Sequence, residues 1–196
     1  MFAGAVADGE FGEADGLRRF EQNFGDGGGL GGARFHFLKK GLQAGFVAFE
    51  PNPRNLIYLR RHVTLNDCAN VRVIAAAVAD VAGHAAFQDG TRDAEGLLAA
   101  GGTLDVETVT LDAIAYGTPG LPPPSVLKID VEGAEQRVLA GAERLLAEAK
   151  PDILLSTHGR DNYVGCQTTL ARHGYHVRQM SAATKGTELL ATARGS

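Results

Sequence analysis

Val126-Leu127-Lys128-Ile129-Asp130-Val131-Glu132-Gly133-Ala134-Glu135 is the stretch on which the reading of this chain turns. It opens as a short apolar run after Pro122-Pro123-Pro124-Ser125. At that length Val and Ile favour a buried strand of a parallel sheet over a helix. The run stops on an acid, Asp130, and Gly133 precedes a helical pattern, so a strand, a tight turn bearing carboxylates and a helix N-terminus follow one another. In open α/β sheets ligands sit just beyond the carboxyl ends of strands, which puts Asp130 and Glu132 where chemistry is done. Glu132 and Glu135 also stand where a carboxylate complements a helix dipole, and for Glu135 that is the reading adopted.

Downstream, Ala134, Val138, Leu139, Ala142, Leu145, Leu146 and Ala149 recur on one face and predict a single amphipathic helix, stopped before Pro151. Ile153-Leu154-Leu155-Ser156-Thr157-His158 reads as the next buried strand, turned by Gly159. A helix over residues 166–173, ended by Gly174, and a closing pair of strands at 175–180 and 187–192 complete this half. Upstream, Phe46-Val47-Ala48-Phe49 is a buried strand ending on Glu50. Asn52 then caps a helix with Pro53 in its first position. Leu56, Leu59 and Val63 line that helix, with Ile57 beside them, and it ends near Asn66. Residues 71–78 read as one strand region closing at Asp80. Strand, helix and strand in alternation mark a parallel α/β sheet. Residues 84–108 interrupt it. There Ala85-Ala86-Phe87 and residues 106–111 form an antiparallel pair around a glycine-rich loop at 89–103, expected to be mobile. Leu111-Asp112-Ala113-Ile114 starts a short helix.

The 196 residues suffice for one domain with a sizeable core. Residues 46–196 form its α/β body, and residues 1–45 are an atypical, glycine-rich N-terminal region of the same domain. That region shows no strand, although Leu17, Phe20 and Phe24 fall on one face of a short helix. Its Gly/Ala/Arg-rich texture points to a shifted reading frame or a misassigned start. With 44% hydrophobic and 21% charged residues the chain is a folded globular one. Its net charge of −4 argues against a nucleic-acid partner. Cys68 and Cys166 lack the spacing of a zinc site or a disulfide scaffold, and no metal ligands are assigned. Oxygen ligands such as Asp130 and a second acid do not by themselves choose a metal. The apolar start lacks a basic segment and no run reaches membrane-spanning length, so a cytoplasmic protein without a membrane partner is expected.

Glu50 is an acid at a strand tip that follows Gly27 and Gly31 by 23 and 19 residues. Glycines let a backbone approach a nucleotide, and an acid about 20 residues on holds its ribose, although no hydrophobic strand precedes these glycines. The same carboxylate can also serve as a cap for the following helix.

Taken in order, Phe49-Glu50-Pro51-Asn52-Pro53, Asn66, Ala77-Val78-Ala79-Asp80, Leu111-Asp112, the string from Leu127 to Glu135, and Pro151-Asp152-Ile153-Leu154-Leu155 with His158 resemble the FkbM-type methyltransferase family. The resemblance spans residues 46–180. It implies a class I methyltransferase fold: a Rossmann-like, mostly parallel seven-stranded sheet with helices on both faces and an antiparallel strand near one edge. It implies S-adenosyl-L-methionine as cofactor and a hydroxyl of a sugar or natural-product small molecule as acceptor. By that resemblance Glu50 holds the donor's ribose with Asn52 beside it, Gly27 and Gly31 mark the donor loop, and Asp80 lies near the adenine. Asp130 then faces the methyl group and the acceptor at the central strand end, and Asp130, Glu132 or His158 is expected to orient or deprotonate the acceptor hydroxyl. The chain departs from the family in two places: the first strand with its Asp-x-Gly-Ala-Asn-type donor loop is not recognisable, and Ser156 stands where an acid is general. The donor side is therefore the weaker half of the expected site. Two other readings remain open: a non-catalytic α/β remnant that binds a partner, and an NAD-dependent oxidoreductase using the Gly27–Gly31 turn with Glu50.

Overall fold

The structure, a computed structural model, describes residues 2–7, 45–88, 97–98, 101–183 and 186–193. Two strand–helix–strand crossovers frame it. Strand β2 (Gly45–Phe49), helix α1 (Pro53–Leu65) and strand β3 (Val71–Ile74) make the first, with β2 and β3 parallel. Strand β8 (Val126–Asp130), helices α3 (Glu135–Ala140) and α4 (Glu143–Glu148) and strand β9 (Asp152–Thr157) make the second, with β8 and β9 parallel. Asn52 caps α1 as expected, its side chain accepting from the Arg54 N–H at 2.9 Å. Leu56 and Leu59 of α1 are buried, whereas Ile57 is exposed.

Between the crossovers lies strand β1 (Phe2–Ala7), antiparallel to both β2 and β8. The sequence of the N-terminal region predicts no strand, and the structure corrects this. The run Phe2-Ala3-Gly4-Ala5-Val6-Ala7 is short and rich in Ala and Gly, which have weak strand preference, so its neighbours on the sheet override its composition. Helix α5 (Arg160–Arg172) follows β9, and strands β10 (His176–Ala183) and β11 (Gly186–Thr192) close the sheet as an antiparallel hairpin. The order is β10-β11-β9-β8-β1-β2-β3. Only β11 and β1 run against the common direction.

Residues 71–78 are two strands rather than one. After β3 the chain crosses to a second sheet, where β4 (Ala77–Val78) pairs with β7 (Leu104–Val109). The anticipated antiparallel pair is there as β5 (Gly83–Gln88) on β7. The segment expected to be a mobile loop contributes β6 (Leu97–Leu98), paired with β5, while residues 89–96 and 99–100 lie outside the described residues.

The single helix expected after Gly133 is broken in two at Gly141, and helix α2 (Leu111–Gly117) breaks it. Asp112 in the first turn of α2 donates its N–H to the Gly141 carbonyl at 2.9 Å. Its carboxylate accepts from the N–H groups of Arg144 at 2.9 Å and Leu145 at 2.8 Å. One residue thus satisfies the backbone groups that a continuous helix would have paired internally. Replacing Asp112 with alanine is expected to cost about 1–2 kcal/mol, as a lost helix cap does, and asparagine should recover about half of it. Urea unfolding of the two variants checks this; no loss in the alanine variant would mean that the carboxylate does not cap α4.

Candidate active site

The site is built at the carboxyl ends of β8 and β9. Parallel pairing sets Ile129 beside Leu155, so Asp130 and His158 leave adjacent strands at the same sheet edge. Leu127, Ile129, Ile153 and Leu155 are buried, which fixes both strands before their polar ends are reached. The turn after β8 is tight: Glu132 has φ of 48° and Gly133 φ of 98°. A left-handed glutamate costs roughly 1 kcal/mol, while glycine takes that conformation freely. Asn162 on α5 ties the two loops, donating from Nδ2 to the carbonyls of Gly133 and His158, both at 3.0 Å.

Glu135 lies beneath them and is 0% exposed. Its Oε1 accepts from the Gly133 N–H at 3.0 Å and lies 2.6 Å from Nδ1 of His158. A carboxylate oxygen accepts here, so Nδ1 carries the proton and donates, which directs Nε2 outward. That nitrogen is 3.4 Å from Glu132 Oε2 and 3.9 Å from Asp130 Oδ1. The Glu135 hydrogen bond raises the His158 pKa above its ordinary value; partial burial opposes this, and the charges of Glu132, Glu135 and Asp130 add to it. The other Asp130 oxygen, Oδ2, is 3.7 Å from Lys128 Nζ, which also donates to Ser156 Oγ at 2.7 Å. Lys128 thus bridges the end of β8 to Ser156 of β9.

Glu50 is at the same edge. Register places Ala3 beside Phe49 and Phe2 beside Asp130, so Glu50 and Asp130 end β2 and β8 at one level, separated by β1. Two strand spacings make that about 10 Å. Glu50 is 3% exposed and accepts the Asn52 N–H on Oε1 at 2.8 Å. Burial raises its pKa, against the lowering effect of hydrogen bonds from the Asn52 backbone and the Asn55 side chain. Asn52 itself is buried, its side-chain oxygen held by the helix it caps. Asp80 sits apart after β4, where its carboxylate accepts from Arg137 Nε at 2.8 Å. Burial pushes its pKa up, but the Arg137 hydrogen bond, the backbone N–H groups of Asp80 and Val81 and the Arg137 charge together outweigh this and hold it below the usual carboxylate range. Gly27 and Gly31 lie outside the described residues.

The structure thus brings together Asp130, Glu132 and His158, sets Glu50 along the same edge, and pairs Asp80 with α3. It adds Glu135, whose place in the sequence predicts only a helix-dipole acid. The signal that marks it is its place on the apolar stripe: Glu135, Val138, Leu139 and Ala142 are spaced as one helical face, and an acid on a core face needs a buried partner.

Comparison with solved structures shows similarity to a methyltransferase FkbM from Methylobacillus flagellatus, at a TM-score of 0.53 and 21% identity over 73% of this chain and 35% of that one. A precorrin-6y C5,15-methyltransferase from Geobacter metallireducens is also similar, at a TM-score of 0.45 and 16% identity over 74% of this chain and 67% of that one. The chain thus spans about a third of the Methylobacillus structure, and that likeness shows the class I methyltransferase fold. A comparison with curated proteins gives no match. A family model, the methyltransferase FkbM domain, matches residues 23–183. That match takes in both crossovers and every strand end from which the site is built, and the chain belongs to the FkbM methyltransferase domain family.

Proposed function

We propose that the chain is an S-adenosylmethionine-dependent O-methyltransferase acting on a hydroxyl of a sugar or natural-product small molecule. The observation that carries this reading is the convergence of Asp130, Glu132 and His158 at one sheet edge, with buried Glu50 at the same level. When bound, the donor supplies a methyl group on a sulfonium, and the acceptor hydroxyl must lose a proton as it attacks that carbon. The outward faces of Asp130, Glu132 and His158 offer oxygens and a nitrogen to orient the hydroxyl and take its proton. Positioning of this kind contributes a large share of the rate when the leaving group is already good.

The fit to the donor is uneven along its length. Glu50 fits the ribose, being a carboxylate held at a strand end by Asn52 with its position set by burial. The methionine end has no counterpart among the described residues. Because β1 is reversed, Ala7 lies beside Gly45 and the chain leaves β1 at the opposite edge of the sheet from Glu50 and Asp130. The family's donor loop follows its first strand directly, and β1 lies outside the residues 23–183 that match the family.

Calorimetric titration with S-adenosylmethionine, S-adenosylhomocysteine and NAD tests the proposal. Both sulfur compounds are expected to bind, and Glu50→Ala to weaken them at least tenfold through loss of a charge-assisted hydrogen-bond pair. If neither binds at millimolar concentration the enzyme reading falls, in favour of a partner-binding α/β domain, or of an oxidoreductase if NAD alone binds.

A further inference from the structure

We propose that Asp130, Glu132 and His158 form a divalent-cation site of mixed carboxylate and imidazole character. One ligand atom from each lies within 4.8 Å of the other two. His158 Nε2 to Glu132 Oε2 is 3.4 Å and His158 Nε2 to Asp130 Oδ1 is 3.9 Å. Ligands on a common tetrahedral or octahedral ion with bonds near 2.1 Å stand roughly 3–3.5 Å apart, so the first pair is already at its spacing and the second closes by about half an ångström.

The second observation is the fully buried Glu135. Metal-binding histidines give their other ring N–H to a carboxylate or carbonyl, which fixes tautomer and orientation. Here Nδ1 of His158 donates to Glu135 Oε1 at 2.6 Å, and the same oxygen accepts from the Gly133 N–H at 3.0 Å. Nε2 is left as a preset ligand aimed at two carboxylates. Asp130 divides its oxygens, with Oδ2 toward Lys128 and Oδ1 toward His158, so ligation at Oδ1 leaves the lysine in place. Two carboxylates and a neutral imidazole carry two negative charges, matched by a dication. Asp130 and Glu132 are partly exposed, which leaves an entry path and open positions. One nitrogen with carboxylate oxygens favours manganese, iron or cobalt over magnesium, which prefers oxygen alone.

Cation binding does not depend on the methyltransferase reading; only its consequence does, because the ion would then lie where the acceptor hydroxyl is oriented. The test uses chelator-treated full chain titrated with Mn2+, with free Mn2+ read by its paramagnetic resonance and Mg2+ run in parallel. We expect one saturable Mn2+ site per chain and weaker Mg2+ binding. Asp130→Asn, Glu132→Gln and His158→Ala should each weaken Mn2+ at least tenfold, and Glu135→Gln should weaken it roughly tenfold to a hundredfold as an outer-sphere change. Should His158→Ala fail to fold, Glu132→Gln, whose side chain is partly exposed, decides the matter. No saturable binding below millimolar Mn2+, or binding unchanged in Glu132→Gln and Asp130→Asn, overturns the site. Donor binding retained after chelation would leave the methyltransferase proposal standing even then.

Discussion

Gly141→Ala is expected to destabilise the protein by about 3 kcal/mol, the upper end for forcing one extra carbon into a packed site. A Cβ at this position would lie 2.1 Å from the Ala79 carbonyl oxygen and 3.1 Å from its carbon. The backbone of Gly141, at φ −82° and ψ 7°, is one that alanine adopts without strain, so the loss would be steric alone. Ala79 cannot yield cheaply: it is 0% exposed and its N–H is bonded to the Val109 carbonyl at 2.9 Å. Movement there would drag Asp80 from Arg137 and Asp112 from the start of α4. For a chain of this size such a loss lowers Tm by roughly 6–12 °C. Gly165→Ala is the control. Its Cβ would fall 2.0 Å from Gln136 Oε1, the far end of a flexible side chain that can swing into solvent. Alanine gains about 0.5–1 kcal/mol over glycine inside a helix, so this variant should be neutral or slightly stabilised. Urea midpoints of the two decide it. A loss below 1 kcal/mol for Gly141→Ala would mean that the segments after β4 and α3 do not meet as described.

The contrast between these glycines shows where sequence reasoning runs out. Buried strands such as Phe46-Val47-Ala48-Phe49 and Ile153-Leu154-Leu155 were legible because apolar runs bounded by acids and turn residues have few other readings. The helix over residues 135–148 was legible as an apolar stripe, but its break was not, because the cause is Asp112, a residue of another element. The switch of chain between sheets after β3 and the reversed β1 were hidden for the same reason: each is settled by which strand lies alongside. In the site, Asp130, Glu132 and His158 were legible by their place at strand ends, which the fold class dictates. What could not be read was the divided use of their atoms, with Nδ1 turned inward to Glu135 and Nε2 outward to Glu132.

That division has a measurable energetic consequence. His158→Ala is expected to cost about 3 kcal/mol, the lower end for breaking a buried charged pair, because Glu135 would be left in the core without its imidazole. Asp130→Asn should cost less than about 1 kcal/mol, since Asp130 is partly exposed and its contacts to Lys128 and His158 are long. Glu135→Gln removes the charge while keeping an oxygen for the Gly133 N–H, so it should be milder than His158→Ala. The double variant Glu135→Gln/His158→Ala separates the two effects. Once the buried charge is gone, losing the imidazole no longer strands it, and the two changes should couple by about 2 kcal/mol, with the double variant more stable than the sum of the singles predicts. A double-mutant cycle from urea unfolding gives the number. Additivity within about 0.5 kcal/mol would show that Glu135 and His158 are neighbours rather than a pair, and the fixed orientation of Nε2 would lose its cause.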